Sequence, residues 1–150
     1  MSEQKPTIES ILADTGVYVC ATWGVSMRPM LRQHRDTVII VPPTGRLKKY
    51  DVPLYRRGKD YVLHRVVRPI PGGYLIRGDN CTSLERVREE QVIGVLESFY
   101  RNGKSVAVTD RGYRAYARVW AALFPIRWVR IQSWRLISRI WQHIRRMTSH

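Results

Sequence analysis

The stretch VIGVLESFYRNGKSVAV, residues 92–108, decides the fold class. Two runs rich in β-branched and aromatic residues, 92–100 and 105–108, lie on either side of the dipeptide Asn102-Gly103. Asn-Gly between two such runs is a strong signal for a β-hairpin, because both residues accept the positive φ angles of a tight turn. The stretch therefore predicts two antiparallel strands.

The same pattern continues toward the N-terminus. Short runs rich in Val, Ile and Tyr alternate with turn signals, and they predict further strands at 17–21, 37–41, 52–55, 61–68 and 74–77. A short helix is predicted before them at 7–14, where Ile8, Ile11 and Leu12 have helical spacing. Many short strands without intervening helices predict a mainly β, antiparallel, barrel-like domain.

The period becomes helical after Thr109. Trp134, Ile137, Trp141 and Ile144 form a stripe at helical spacing. This stripe is flanked by Leu136, Ile140 and Met147, and the opposite side carries Arg135, Arg139, Gln142 and Arg146. Pro125 is expected to divide the region into two helices. The chain is thus predicted to consist of a β domain, 1–110, and a helical tail, 111–150.

The charge is concentrated in this tail. The whole chain has a formal net charge of +14, and residues 111–150 contain nine arginines and no acidic residue. Tryptophan and arginine together favour peripheral association with an anionic membrane. Two other interpretations stay open, namely packing of the apolar stripe on the β domain and RNA binding. Sequence-specific DNA binding is not expected, because too few residues precede the first strand for a helix-turn-helix.

The remaining composition argues against several classes of protein. The two cysteines, Cys20 and Cys81, belong to no CxxC or Cys/His cluster, which predicts reduced thiols and neither metal nor cofactor. The N-terminus lacks the apolar run of a signal peptide, and no apolar stretch is long enough to span a bilayer. A cytoplasmic or peripheral membrane location is therefore expected.

Ser26 is the first candidate for chemistry. It follows a predicted strand, with Gly24 two positions before it and Pro29 three positions after it. Such a turn could present a hydroxyl together with backbone N–H groups for an oxyanion, in the region of Gly24 and Ser26. The bland interpretation is that serine is simply common in turns of this composition.

His64 is the second candidate, and two acids accompany it. Alternation along a strand places His64 on one face with Val62 and Val66, where it is either a core residue or a base that titrates near neutrality. Asp79 ends the next predicted strand and either caps a turn or orients His64. Glu85 is a second nearby acid, which by default is solvated.

Five segments, in order, resemble the motifs of type I signal peptidases. The nucleophile motif of that family, G-x-S-M-x-P-x-L, is matched by GVSMRPML, residues 24–31. The others are YDVPLY at 50–55, with Tyr50 where the family has glycine, YVLHRVV at 61–67, IRGDN at 76–80 and QVIGVL at 91–96. Histidine in place of the usual lysine base is similar to the endoplasmic-reticulum and sporulation-type members.

The resemblance implies a function and roles for the residues. It implies a β domain like that of signal peptidases and self-cleaving repressors, and a serine endopeptidase that cleaves a leader or signal peptide through an acyl-enzyme. Ser26 would be the nucleophile, His64 the general base and Asp79 the acid that orients it, with Glu85 as an accessory acid. The alternative is a non-catalytic module on the same fold that binds peptide, membrane or nucleic acid.

Overall fold

The computed structural model describes residues 6–147. The chain starts with helix α1, Ile8–Thr15, as its apolar spacing predicts. Thr7 caps the helix, since its hydroxyl accepts a hydrogen bond from the Ser10 N–H. Gly16 ends it at φ 72°, in the left-handed region that favours glycine.

Six strands form the first sheet. They are β1 (Tyr18–Ala21), β2 (Thr37–Val41), β3 (Pro53–Arg57), β4 (Asp60–Leu63), β8 (Val92–Arg101) and β9 (Lys104–Ala107). Their order is β1-β2-β8-β3-β4, with β9 paired to β8, and every pairing is antiparallel. Asn102 and Gly103 both have positive φ angles, so the predicted hairpin is confirmed. The sheet curls into a half-barrel that leaves β1 and β4 at its two edges.

Three strands form a second, smaller sheet. They are β5 (Arg65–Ile70), β6 (Gly73–Arg77) and β7 (Glu85–Arg88), in that order and antiparallel. The prediction of a single strand at 61–68 is wrong. The chain forms two strands there, β4 and β5, and passes from the first sheet to the second at His64. Strand β7 was not expected, since its sequence ERVR is charged and buries only Val87.

The core of the described chain consists of two hydrophobic clusters. The first hydrophobic cluster joins α1, the half-barrel and Tyr113, and it contains Met27, Leu31 and Ile40. The second cluster lies between the two sheets, where Tyr55 and Val62 of the half-barrel meet Val66 and Tyr74 of the smaller sheet. The expectation of a mainly β, antiparallel fold with flanking helices is confirmed, while the barrel is a half-barrel with a second sheet beside it.

Helices α2 (Arg111–Ala122) and α3 (Phe124–Met147) complete the described chain. Only Leu123 separates them, and Pro125 stands in the first turn of α3, where its missing N–H needs no partner. Helix α2 packs on the β strands through Tyr113 and Ala117, whereas most of α3 is exposed. No helix within residues 6–147 is long and apolar enough to cross a membrane.

Candidate active site

Ser26 lies in the loop between β1 and β2, half-buried in the wall of a cavity. Gly24 has φ 78° with open space around it, so the chain turns there in a conformation that favours glycine. Within residues 6–147 the N–H groups of Gly24 and Ser26 donate to no protein acceptor. These two N–H groups are therefore free to donate to a ligand, which an oxyanion region at Gly24 and Ser26 would require.

The loop after β6 holds the Ser26 loop in place. The Asn80 N–H donates to the Ser26 carbonyl oxygen at 2.7 Å, and the Asn80 side-chain amide donates to the carbonyl oxygen of Val25 at 3.2 Å. Directly after Ser26, Met27 is buried, and its sulfur lies 3.5 Å from the Asp79 nitrogen. Two loops that are distant in sequence are thereby fixed against each other.

Gly78 brings Ser26 and His64 to the same small space. A Cβ atom at Gly78 would lie 2.7 Å from the Ser26 carbonyl oxygen, 2.8 Å from Sγ of Cys81 and 3.0 Å from Nε2 of His64. Any side chain here would separate the two residues, so glycine is required by close approach rather than by its own dihedral angles. Both Ser26 and His64 line the cavity, with Nε2 on the side of Ser26.

The other ring nitrogen of His64 faces a tyrosine and a glutamate. Nδ1 lies 3.2 Å from the Tyr55 hydroxyl and 3.7 Å from Oε1 of Glu85. Tyr55 donates its hydroxyl proton to Oε2 of Glu85 at 2.9 Å. Because a phenol has a single proton, its oxygen must accept the hydrogen bond from Nδ1–H. This arrangement fixes the neutral tautomer whose lone pair is on Nε2, toward Ser26.

Burial and charge act in opposite directions on His64. Burial lowers the pKa of its imidazole below the ordinary value, and the nearby Glu85 carboxylate offsets part of that shift. Burial, reinforced by Glu85, raises the pKa of Tyr55, so its hydroxyl stays protonated as a donor. The imidazole is therefore neutral at pH 7 and able to accept a proton.

Asp79 does not contact His64, and the expectation that it orients the imidazole is corrected by the structure. Its two carboxylate oxygens accept hydrogen bonds from Nε and an Nη of Arg65, both at 2.8 Å. Oδ2 also accepts from the Tyr116 hydroxyl at 3.0 Å. Arg65 pairs across the sheet with Arg77, two residues before Asp79, and this register brings its guanidinium to the carboxylate.

Glu85, expected only as an accessory acid, occupies the place beside Nδ1, and its Oε1 also accepts a hydrogen bond from Arg57 at 2.9 Å. It stands at the start of β7, a strand that the sequence did not predict. Tyr55 was also missed, although a signal exists. A hairpin through Arg57-Gly58 places Tyr55 opposite Val62, and the diagonal neighbour two positions along is His64. Arg65, Tyr116 and Trp120 around Asp79 gave no comparable signal.

The cavity has a volume of about 540 Å³ and lies between the two edge strands of the half-barrel. Tyr18 and Cys20 of β1 line one side, and Tyr61 and Leu63 of β4 line the other. Its inner surface is formed by side chains of the first hydrophobic cluster. A cavity with apolar walls between two sheet edges suits an extended peptide better than a compact polar ligand.

The two free cysteines, Cys20 and Cys81, both line this cavity. Burial raises the pKa of each thiol. Both are therefore neutral thiols at pH 7, and a thiol is a far weaker nucleophile than a thiolate. Cys81 Sγ lies in the same space beside Gly78 as the Ser26 main chain and Nε2 of His64, so position alone does not choose between the two residues. The serine motif of residues 24–31 is what makes Ser26 the nucleophile candidate.

Comparison with known proteins adds no assignment. No model of a known protein family matches the sequence, and no curated protein matches it. Membership of the signal-peptidase family thus rests on the motifs quoted above and stays a prediction.

Proposed function

We propose that this protein is a serine endopeptidase of the signal-peptidase type that cleaves an extended peptide. The observation that carries the proposal is the shared space beside Gly78, where the Ser26 main chain and the unprotonated nitrogen of His64 meet. A hydroxyl becomes a competent nucleophile when a neutral imidazole can remove its proton. The third group of the triad would be Glu85, acting on His64 through Tyr55.

The chemistry would proceed in two steps. Oγ of Ser26 attacks the peptide carbonyl while its proton moves to Nε2 of His64, and the N–H groups of Gly24 and Ser26 stabilise the oxyanion. The imidazolium then gives that proton to the leaving amine, and an acyl-enzyme remains on Ser26. Water, activated by the same imidazole, hydrolyses the ester. The Glu85 carboxylate stabilises the positive charge that His64 carries in between.

The substrate would bind as an additional strand. In the described part of the chain, β1 and β4 each have one edge without a strand partner, and the cavity lies between these edges. Exposed backbone groups of an edge strand can pair with an extended peptide, while pockets accept alternate side chains. Trp23, at the cavity and 79% exposed, offers further apolar surface to such a peptide.

Two further features support the resemblance on which the family assignment rests. Tyr50 has φ 81°, in the left-handed region, at the position where the resembled motif has glycine. The loop of the matched G-D-N motif contacts the loop of the matched serine motif through Asn80. Motifs that are distant in sequence are therefore close in space, which favours a common function for them.

The test is cleavage of a library of unstructured peptides, with products identified by mass spectrometry. We expect Ser26→Ala and His64→Ala each to lower turnover by roughly 10³-fold or more. Ser105→Ala and His143→Ala, which change the same residue types away from the cavity, serve as controls and should retain full turnover. Peptide binding without cleavage by the unaltered protein would instead support the non-catalytic alternative.

A further inference from the structure

Helix α3 presents an apolar face to solvent. This face, defined as Trp134, Leu136, Ile137, Ile140 and Trp141, has side chains between 49% and 73% exposed. At 3.6 residues per turn these five positions occupy an arc of about 160°. Arg135, Arg139 and Arg146 lie on the opposite side. The helix is therefore amphipathic, with its apolar side outward.

The structure excludes one of the interpretations that the sequence left open. The apolar stripe does not pack on the β strands, because its members are exposed. Near the start of α3, Arg127 stacks on Trp120 of α2 and donates to the Asp79 carbonyl oxygen of the β domain at 2.5 Å. The helix is thus attached at its first turns and carries its apolar face beyond them. Contiguous exposed apolar surface of this kind marks an interaction site.

The positive charge of the helical tail indicates which partner can cover the apolar face of α3. Residues 111–150 contain nine arginines and no acidic residue, so a second copy of this helix would bring like charges together. A bilayer with anionic headgroups satisfies both sides of the helix, with hydrocarbon below the apolar face and phosphates beside the arginines.

The positions of the tryptophans agree with this geometry. Trp134 and Trp141 are seven residues apart and lie at the edge of the apolar arc, next to the polar side. Aromatic rings with a polar N–H prefer the headgroup level, which is the depth of that edge in a helix lying flat. The helix is not apolar enough to span a membrane, so a position parallel to the surface is the one it can take.

We propose that α3 docks flat on an anionic lipid bilayer through the face Trp134, Leu136, Ile137, Ile140 and Trp141. The docking is independent of catalysis, since it involves no residue of the cavity. Attachment of α3 to the Asp79 loop means that the docked helix holds the β domain at the lipid surface.

The test is co-sedimentation of the full chain with vesicles, using phosphatidylglycerol mixed with phosphatidylcholine and phosphatidylcholine alone. We expect binding to the anionic vesicles at least tenfold stronger than to the neutral ones. Ile137→Glu with Ile140→Glu should reduce binding to background. The control, Ser138→Glu with Gln142→Glu, changes the charge equally on the polar side and should retain clear binding. Circular dichroism checks that both variants stay helical.

Three outcomes would overturn the proposal. Equal binding to both vesicle types would show that docking does not depend on anionic lipid. Equal losses in the two double variants would show a purely electrostatic surface, as expected for a polyanion such as RNA. The unaltered chain could also be a homodimer in solution. If Ile137→Glu with Ile140→Glu makes it monomeric and the control variant does not, the apolar face binds a second copy of the chain. None of these readouts depends on peptidase activity, so the proposed function is tested separately.

Discussion

His64 and Arg65 are consecutive residues, yet each has its own acid in a different environment. The Arg65–Asp79 pair is dry, since the two side chains are 5% and 3% exposed and joined by two hydrogen bonds. Glu85 beside His64 is 27% exposed, 3.7 Å from Nδ1, and shares a tyrosine hydroxyl with it. Asp79 pairs with a buried arginine, whereas Glu85 pairs with the largely exposed Arg57 at 2.9 Å and also faces His64, whose charge changes.

This difference explains why Asp79 is unsuited to the role first expected of it. Its carboxylate oxygens are already held by a guanidinium that stays protonated at any physiological pH. A general base needs a neighbour that can respond when the imidazole becomes positive. Glu85, reached through Tyr55, can respond in this way because its cation partner, Arg57, is 55% exposed and its charge is screened by solvent. The four predictions below test the division between a structural and a catalytic acid.

The largest effect is expected from Asp79→Ala. The substitution leaves the guanidinium of Arg65 buried without its anion, which should cost about 3–5 kcal/mol of unfolding free energy. Urea denaturation measures this loss of unfolding free energy. Glu90→Ala, which breaks the Arg88–Glu90 pair of 71% exposed side chains, is the control and should change stability by less than about 0.5 kcal/mol. If the Asp79→Ala protein is as stable as the unaltered protein but inactive, Asp79 has a catalytic role and not a structural one.

Glu85→Gln should have the opposite profile. Turnover is expected to fall roughly 10- to 100-fold, because the imidazolium loses its stabilising charge while the base itself remains. The unfolding free energy should change by less than about 1 kcal/mol, since this side chain is partly solvated. Turnover and urea denaturation, measured on the same samples, distinguish a catalytic role of Glu85 from a structural one. Loss of folding with normal turnover per folded molecule would contradict a catalytic role for Glu85.

Tyr55→Phe should have a smaller effect. The substitution removes the hydroxyl's hydrogen bonds to His64 and to Glu85, and the one to His64, worth about 1 kcal/mol, corresponds to roughly a fivefold decrease in turnover. The variant should also weaken the preference for the tautomer with its proton on Nδ1, which nitrogen NMR of His64 detects. Leu75→Ala, at a half-buried position of β6 outside the cavity, controls for changes in packing. An unchanged tautomer would exclude Tyr55 as the group that fixes it.

The smallest expected effect is a shift in the pH profile. The proposed base acts as neutral imidazole, so kcat/KM should fall as pH decreases through the pKa of His64. Since burial lowers that pKa, the midpoint should lie below the ordinary value of about 6.5. In Glu85→Gln the midpoint should move lower still, because the carboxylate that raises the pKa is gone. An upward shift would show that Glu85 does not act electrostatically on His64.

Much of the fold could be predicted from local signals. Asn102-Gly103 predicted the hairpin because its turn conformation is a property of two residues. The start of the helices near residue 111 was predictable because the spacing of apolar residues changes there from alternating to helical. Strand β7 could not be predicted, since ERVR has no strand pattern of its own and depends on pairing with β6. The break at His64 was missed because alternation continues from Val62 to Val66 although the sheet changes.

The candidate site was predictable only in part, for a related reason. Ser26 and His64 could be selected because each lies in a distinctive short motif, and the structure brings them together beside Gly78. The choice between Asp79 and Glu85 depended on which acid a buried arginine would take. That choice is decided by the cross-strand register of Arg65 and Arg77, a long-range property that residue types alone do not determine.

The hydrogen bonds to the Asp79 carbonyl oxygen also have a consequence for the order of events during synthesis. This oxygen accepts from Trp120 and Arg127, which leave the ribosome 41 and 48 residues after it. A nascent chain that already contains Ser26, His64 and Glu85 therefore still lacks the contacts that hold the neighbouring loop. The proposed peptidase would acquire its finished site only after the segment through Arg127 has left the ribosome, which limits cleavage of neighbouring chains by unfinished molecules.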